Sequence, residues 1–403
     1  MEVITTGCIV APKGFKAGAV YCGIKTREDS LDLGIVLSEC PSTGAALFTT
    51  NQIYAAPVKY SRITAQKGCI RSFVVNSGNA NACTGEQGYK DAVEMARIAS
   101  RCLKISQEEI LIASTGIIGR PLAMDKIAAG IKGAAASLGN TPAHGNNMAR
   151  AIMTTDTRQK DVAVRLKING KDVTIGGITK GAGMIAPNMA TMLCFITTDA
   201  AVPAPLLNEC LRKSADTSFN RITIDGHTST NDTVAVIANG ASGVTISPNS
   251  SEMKLFQQGL DYVAGYLAKA IVRDGEGATK FIQIDVVGAR SRADAVKIAR
   301  SIADSPLVKT AINGEDPNWG RIVSAAGYAG VALDETKTNL YINEILIFSK
   351  GMPTQNNLDV ISASMKAGDI NLRLELGLGD SADTVWTCDL SHEYVTINAE
   401  YHT

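Results

Sequence analysis

Lys180-Gly-Ala-Gly-Met-Ile-Ala-Pro-Asn-Met-Ala-Thr-Met-Leu193 lies near the middle of a 403-residue chain. Thr191 follows a small residue, Ala190, and Gly181, Gly183 and Pro187 shape the approach to it. A threonine hydroxyl is a weak nucleophile unless a base stands beside it. Breaking the Ala190–Thr191 bond would free an α-amine on the same residue, and that amine can act as the base. The protein would then consist of two chains, 1–190 and 191–403.

The same stretch admits a second reading. Gly181-Ala-Gly183-Met-Ile-Ala186 has the spacing of a dinucleotide-binding turn, with Asp199 near the expected distance downstream. Such a turn must open a helix, so that pyrophosphate rests on its N-terminus. Pro187-Asn188 follows at once, and 192–198 has the pattern of a strand. These residues weigh against a nicotinamide-binding oxidoreductase. No Gly-x-x-x-x-Gly-Lys-Ser/Thr phosphate loop occurs in the chain.

Outward from this segment, strands and helices mix. Runs 45–50, 71–76 and 110–115 are short and apolar, end in polar or glycine turns, and read as buried strands. Residues 89–103 and 121–138 carry apolar side chains at helical spacing, with Pro121 suited to a first helical position. Residues 161–178 read as a hairpin turning at Asn169-Gly170. Helices are expected over 204–217, over 251–273 with Ser250 or Ser251 as N-cap, and over 291–303 and 306–312. Strands are expected over 192–198 and 281–287. In the last third, 339–348, 369–378, 382–390 and 392–398 read as strand, with little helix. The sum is a mixed α/β or α+β chain, with no repeat or linker to mark a domain boundary.

Composition narrows the function classes. The chain is 45% hydrophobic, 19% charged and 5% aromatic, which is ordinary globular usage for two or three domains. Lys+Arg and Asp+Glu are equal at 39 each, so there is no basic excess for nucleic acid or an anionic membrane. The nine cysteines are scattered without a Cys-x-x-Cys pair, as expected of reduced thiols in a cytoplasmic protein. Four histidines lack metal-ligand spacing, so no metal site is expected. The N-terminus does not read as a signal peptide, and no apolar run approaches the roughly 18 residues of a membrane span.

Other motifs carry weaker signals. Ile112-Ala-Ser-Thr115-Gly116-Ile-Ile-Gly119 is a strand running into a glycine turn, where Thr115 and Gly116 could donate to a developing oxyanion; a plain strand-ending turn is the simpler reading. Thr154-Thr-Asp156-Thr157 and Asn76-Ser-Gly-Asn79-Ala-Asn81 suit Asx and Ser/Thr turns, or the polar wall of a pocket. Glu276 lies between Gly275 and Gly277 after a long helix, either as a solvated glutamate at a C-cap or as a partner for a cationic substrate group. Lys180 is either solvated or an anchor for a substrate carboxylate.

Together these segments resemble the ornithine acetyltransferase family, the glutamate N-acetyltransferases of arginine biosynthesis. The Lys180–Leu193 segment resembles the family signature. Leu47-Phe-Thr-Thr-Asn51, Ala55-Ala-Pro-Val58, Asn76–Asn81, Ser114-Thr-Gly-Ile-Ile-Gly119 and Thr154–Thr157 match in order. Phe219-Asn-Arg-Ile-Thr-Ile-Asp-Gly226, Thr228-Ser-Thr-Asn-Asp232, Arg273–Lys280, Asn313–Arg321 and the Asn398–Thr403 ending extend the match over essentially the whole chain. His227 stands where the family often carries Asp or another small polar residue. The resemblance implies self-cleavage between Ala190 and Thr191, giving chains of 190 and, by subtraction from 403, 213 residues, paired as a heterotetramer of two of each. It implies Thr191 as nucleophile and Thr115 and Gly116 as the oxyanion hole. Thr154, Lys180, Thr191, Glu276, Asn398 and Thr403 would bind the substrates N2-acetylornithine and glutamate. No cofactor is implied, although acetyl-CoA could be a second donor. The implied fold is a sandwich of sheets and helices, similar in role to N-terminal-nucleophile hydrolases but with its own topology. A same-class rival is an amidase or aminopeptidase with water as acceptor. A further rival is a catalytically silent amino-acid-binding protein.

Overall fold

A computed structural model describes residues 1–27, 30–186 and 192–400. Ala190, Thr191 and Thr403 lie outside the described residues. The chain divides into two compact units, the first formed by 1–220 and 227–271, the second by 221–226 and 272–400.

Two sheets pack face to face in the first unit. One has six strands in the order Glu2–Val3, Lys160–Ile168, Lys171–Lys180, Leu193–Thr198, Thr233–Ala238, Thr43–Phe48. All of its pairings are antiparallel except Leu193–Thr198 with Thr233–Ala238. The other has four strands, Phe15–Val20, Leu33–Ser38, Ser72–Asn79 and Ile110–Ile117, with only the last pair parallel. Strand alternation sends Phe73, Val75, Leu111 and Ala113 of the small sheet toward Ile178, Leu193, Phe195 and Ala235 of the large one. The Phe73 and Phe195 rings meet at 4.8 Å in this interior.

The outer faces are covered by helices. Leu33, Ile35, Val74, Ile110 and Ile112 face the helices Gly85–Leu103 and Met124–Ala136, through residues such as Met95, Ala99, Ile127 and Ile131. On the large sheet, Gly177 lies against Val263 and Leu267, and Leu166 and Ile175 lie against Gly259 of the helix Ser251–Arg273. The first unit is therefore layered helix, sheet, sheet, helix, which agrees with the expected sandwich and the mixed α/β class.

The second unit has one six-stranded sheet, in the order Met352–Pro353, Ile345–Ser349, Asn339–Ile342, Asp369–Glu375, Phe281–Ala289, Ser381–Cys388. Ile282, Ile284, Val286, Ile370, Leu372 and Leu374 alternate onto one face and pack with Ile298, Ile302, Ile312 and Ile322 of three helices.

Most of the expected elements are present, with three corrections. Residues 392–398 are not strand: His392–Glu400 is a helix. Its Tyr394-Val-Thr-Ile397 run favours strands locally, but contacts remote in sequence decide the outcome. The Tyr394 hydroxyl donates to Asp225 at 3.2 Å, and Asn398 Nδ2 donates to Glu276 at 2.8 Å. The helix expected from Pro121 begins at Met124. The run 339–348 is a hairpin, because Asn343 and Glu344 both take positive φ, 46° and 66°, and turn the chain tightly. Elsewhere the turn at Asn169-Gly170 is found with φ of 51° and 76°, and Ser250 caps the long helix through the Met253 N–H at 3.1 Å. Among the described residues no helix is long and apolar enough to cross a membrane.

Candidate active site

Strands from the two sheets of the first unit bring Thr115, Gly116 and Lys180 together. Ile110–Ile117 pairs with Ser72–Asn79 until the register slips at Gly78 and Asn79. Gly116 faces that slip with φ of 129°, and a Cβ on it would lie 2.4 Å from the Gly78 carbonyl carbon. Glycine alone fits so close an approach. Thr115 is 5% exposed, and Lys180, 4% exposed, donates to its hydroxyl at 3.2 Å. The lysine is thus a buried ammonium rather than a solvated one. The Asn76–Asn81 segment braces the turn: Asn76 Oδ1 accepts from the Ser114 hydroxyl at 2.6 Å, and Asn79 Nδ2 reaches the Arg120 and Pro121 carbonyls.

Asp156 organises the other side of Lys180. It accepts from Lys160 Nζ at 2.6 Å, from the Gly181 N–H at 2.7 Å and from the Thr154 N–H at 2.9 Å. Thr154 thereby joins the cluster through its backbone. Burial alone would raise this carboxyl, but the charges of Lys160 and Lys180 and the Gly181 N–H outweigh it and hold it down at about 2. Lys25 stands nearby, since a Cβ on Gly78 would lie 3.1 Å from both Ile24 Cγ2 and Lys25 Cγ. Burial pushes the Lys25 ammonium down to about 8; Asp32 and Asp156 oppose the shift and Lys180 adds to it. Lys25, Lys160 and Lys180 all interact with Asp156, and Asp32 sets a second buried carboxylate beside Lys25, so the region is dense in buried charge of both signs. A preorganised ammonium there stabilises an oxygen that turns negative, or holds a carboxylate.

Asp232 is 1% exposed, and its Oδ1 accepts the Met192 N–H at 2.9 Å. Burial lifts its carboxyl well above the usual range, against the Met192 N–H, the Thr49 hydroxyl and the Lys180 charge. The second unit carries Glu276 and Asn398, joined by the 2.8 Å bond already described. Glu276 is half-buried, and Gly277 beside it has φ of 68°, with room for no Cβ because Tyr394 N would lie 2.5 Å away. The glutamate is therefore held in place and is not a freely solvated cap residue. Ala190, Thr191 and Thr403 are not among the described residues.

Lys25, Lys160, Asn231 and Asp232 carry no assigned role in the sequence reading. Asp156 and the Asn231-Asp232 pair fall within quoted motifs, which is the one signal that points to them. Lys25 gives none, because its significance comes from burial.

A mixed α/β sandwich with a buried, lysine-rich turn at the end of paired strands is the class that this fold and site define. The chain belongs to the ArgJ family, whose model matches residues 16–403. It is 47% identical to the arginine biosynthesis bifunctional protein ArgJ of Dehalococcoides mccartyi (strain CBDB1), over 100% of this chain and 99% of that protein. It is 46% identical to the protein of the same name from Symbiobacterium thermophilum, over 98% and 99%. Among solved structures, ArgJ of Bacillus halodurans is 39% identical, covering 47% of this chain and 97% of its own, with a TM-score of 0.45. Ornithine acetyltransferase from Mycobacterium tuberculosis, complexed with ornithine, is 37% identical over 46% and 98%, with a TM-score of 0.44. The family expected from the sequence motifs is the family found.

Proposed function

We propose that this chain is an arginine-biosynthesis acetyltransferase that moves the acetyl group of N2-acetylornithine to glutamate through Thr191. The observation that carries the reading is the Lys180–Thr115 contact at a glycine turn, on strands that also lead to Met192, the residue after Thr191. The name carried by the curated relatives, arginine biosynthesis bifunctional protein ArgJ, supports a role in the same biosynthesis.

Maturation begins when the Thr191 hydroxyl attacks the Ala190 carbonyl carbon. The C–N bond breaks, the proton passes to the leaving amine, and an ester joins Ala190 to Thr191. Water hydrolyses that ester, leaving chains 1–190 and 191–403, which remain together as two copies of each in the cytoplasm. The new α-amine has a reference pKa of roughly 7.7–8.0, close enough to neutrality for a general base.

In the transfer cycle this amine takes the Thr191 hydroxyl proton as the oxygen attacks the acetyl carbonyl. The negative oxygen is stabilised at Thr115 and Gly116, with the Lys180 charge beside them. The C–N bond to ornithine breaks, its amine takes the proton, and acetyl-Thr191 remains. The α-amine of glutamate then attacks the ester, and the Thr191 oxygen recovers its proton as N-acetylglutamate leaves. Thr154, Lys180, Glu276, Asn398 and Thr403 bind the two amino acids. No cofactor takes part, although acetyl-CoA can serve as a second donor in a bifunctional enzyme.

Intact mass measurement tests the reading. The expected masses are those of 1–190 and 191–403, with one acetyl group added to the second after exposure to N2-acetylornithine alone. Active enzyme with an unbroken chain would remove Thr191 from its role. Acetate release without N-acetylglutamate would favour the amidase, and N-acetylglutamate formed from acetyl-CoA and glutamate alone would establish the second donor.

A further inference from the structure

Glu276 sits at the tip of a four-residue turn that starts where the helix Ser251–Arg273 ends. The Gly275 N–H donates to the Val272 carbonyl at 3.2 Å, and the Ala278 N–H closes the turn on the Gly275 carbonyl at 2.9 Å. Turn tips are ordinarily among the more mobile parts of a fold. This one is tied to the segment that follows the strand Ser381–Cys388. Phe281 pairs with Cys388, and the Asp389 N–H continues that ladder by donating to the Lys280 carbonyl at 3.2 Å. The Asp389 carboxylate is buried and takes up four donors. Its Oδ1 accepts the Thr279 and Lys280 N–H groups, each at 2.8 Å, and its Oδ2 accepts the Thr279 hydroxyl at 2.5 Å and Asn313 Nδ2 at 2.7 Å. Two residues on, the Ser391 hydroxyl donates to the Gly277 carbonyl at 2.6 Å.

These bonds hold both the exit of the turn and its tip. Three of the four donors to Asp389 come from Thr279 and Lys280, directly after the turn, and the Gly277 carbonyl belongs to the residue after Glu276. On the entry side a Cβ on Gly275 would lie 3.0 Å from Cys388 Sγ, so the same strand end also backs the turn. Hydrogen bonds to a carboxylate are stronger than neutral ones, so this clamp couples the turn firmly to the sheet. We propose that Asp389 and Ser391 are positioning residues that aim the Glu276 carboxylate and thereby set recognition of the side-chain ammonium of the donor substrate. The proposal rests on the reading of Glu276 as the partner of that ammonium. It places the effect on capture of N2-acetylornithine rather than of glutamate, whose side chain carries no cation for Glu276 to attract.

Asp389→Ala removes the acceptor for both N–H groups, Asp389→Asn keeps one oxygen for them, and Ser391→Ala removes only the bond to Gly277. Each variant is made alone and together with Glu276→Gln. Folding is checked by circular dichroism and thermal melting, and KM and kcat are measured for both substrates. The expected result for Asp389→Ala is a KM for N2-acetylornithine raised roughly tenfold, with the KM for glutamate within about twofold and kcat within about threefold of wild type. Asp389→Asn should bring that KM back to within about threefold of wild type, and Ser391→Ala should raise it roughly threefold. With Glu276→Gln already present, neither Asp389→Ala nor Ser391→Ala should raise it more than about twofold further, because residues that act through one group are not additive. Additive effects overturn the proposal, as does an equal rise in both KM values or an unchanged KM for N2-acetylornithine in folded Asp389→Ala. If Asp389→Ala does not fold, Ser391→Ala decides by the same comparison. An unchanged KM for N2-acetylornithine in Glu276→Gln alone sinks the reading of Glu276 and the proposal with it, whereas a raised value there beside a normal Asp389→Ala sinks only the positioning role.

Discussion

Lys180 Nζ stands 3.2 Å from Thr115 Oγ1, although the two residues are 65 positions apart and lie on strands of different sheets. The sandwich, rather than any local motif, sets this distance. It places a buried positive charge beside the turn where an oxyanion is proposed to form. Lys180→Met keeps the stem and removes the charge. The expected result is kcat/KM for acetyl transfer lowered roughly 10²–10³-fold, the cost of losing one preorganised donor. Steady-state assays with the folded variant check this, and a loss below threefold would take Lys180 out of the reaction.

Asp156 tests the same cluster through stability. It is the buried partner of Lys160, and removing one member of such a pair leaves an uncompensated charge. Asp156→Asn is expected to lose about 3–5 kcal/mol in urea unfolding, and Asp156→Leu with Lys160→Met to lose less. The pH dependence has a definite sign. The folded carboxyl is held at about 2, below its ordinary 3.8, so its stabilisation is complete above the ordinary value and is lost as pH falls through the folded one. Wild type should therefore lose stability more steeply than Asp156→Asn between those two values.

The sequence discloses this architecture unevenly, for physical reasons. The hairpin at Asn169-Gly170 is legible because both residues tolerate positive φ, and the helix Ser251–Arg273 because Ser250 caps an uninterrupted apolar period. His392–Glu400 is misread because its β-branched run speaks for strand, while Asp225 and Glu276, which hold it as helix, are far away in the chain. Thr115, Gly116 and Lys180 stand in glycine-marked motifs and can be nominated. Lys25 cannot, since nothing but burial distinguishes it from an ordinary charged residue.

Gly116 should tolerate no side chain. With φ of 129° and the Gly78 carbonyl carbon 2.4 Å from a would-be Cβ, Gly116→Ala forces both strand ends apart. Roughly 1–3 kcal/mol of strain is expected, with acetyl transfer lost beyond what the stability change explains. A variant with wild-type kcat and melting temperature would contradict the close approach.

Lys25 supplies an alkaline signature. Burial holds its folded value at about 8, below the ordinary 10.5, so between these values the unfolded chain binds a proton that the folded chain does not. Stability contributed at this position therefore rises with pH across that window, and below it the ammonium is buried at full cost. Relative to Lys25→Met, the wild-type urea midpoint should climb from pH 8 to pH 10. Parallel midpoints across that range would show that Lys25 does not titrate there.

Glu276 addresses which amino acid is recognised. Ornithine and glutamate share an α-carboxylate and differ at the side-chain end, one cationic and the other anionic. A carboxylate held by Asn398 at 2.8 Å attracts the first and repels the second. Glu276→Gln leaves the acceptor for Asn398 Nδ2 in place and removes only the charge, so the turn at Gly277 need not move. The expected result is a KM for N2-acetylornithine raised about tenfold, the size of one weakened charge-assisted hydrogen bond, with the KM for glutamate unchanged or lower. A rise in both would point to a general disturbance of the turn. An unchanged value for N2-acetylornithine would mean that the ornithine ammonium is recognised elsewhere.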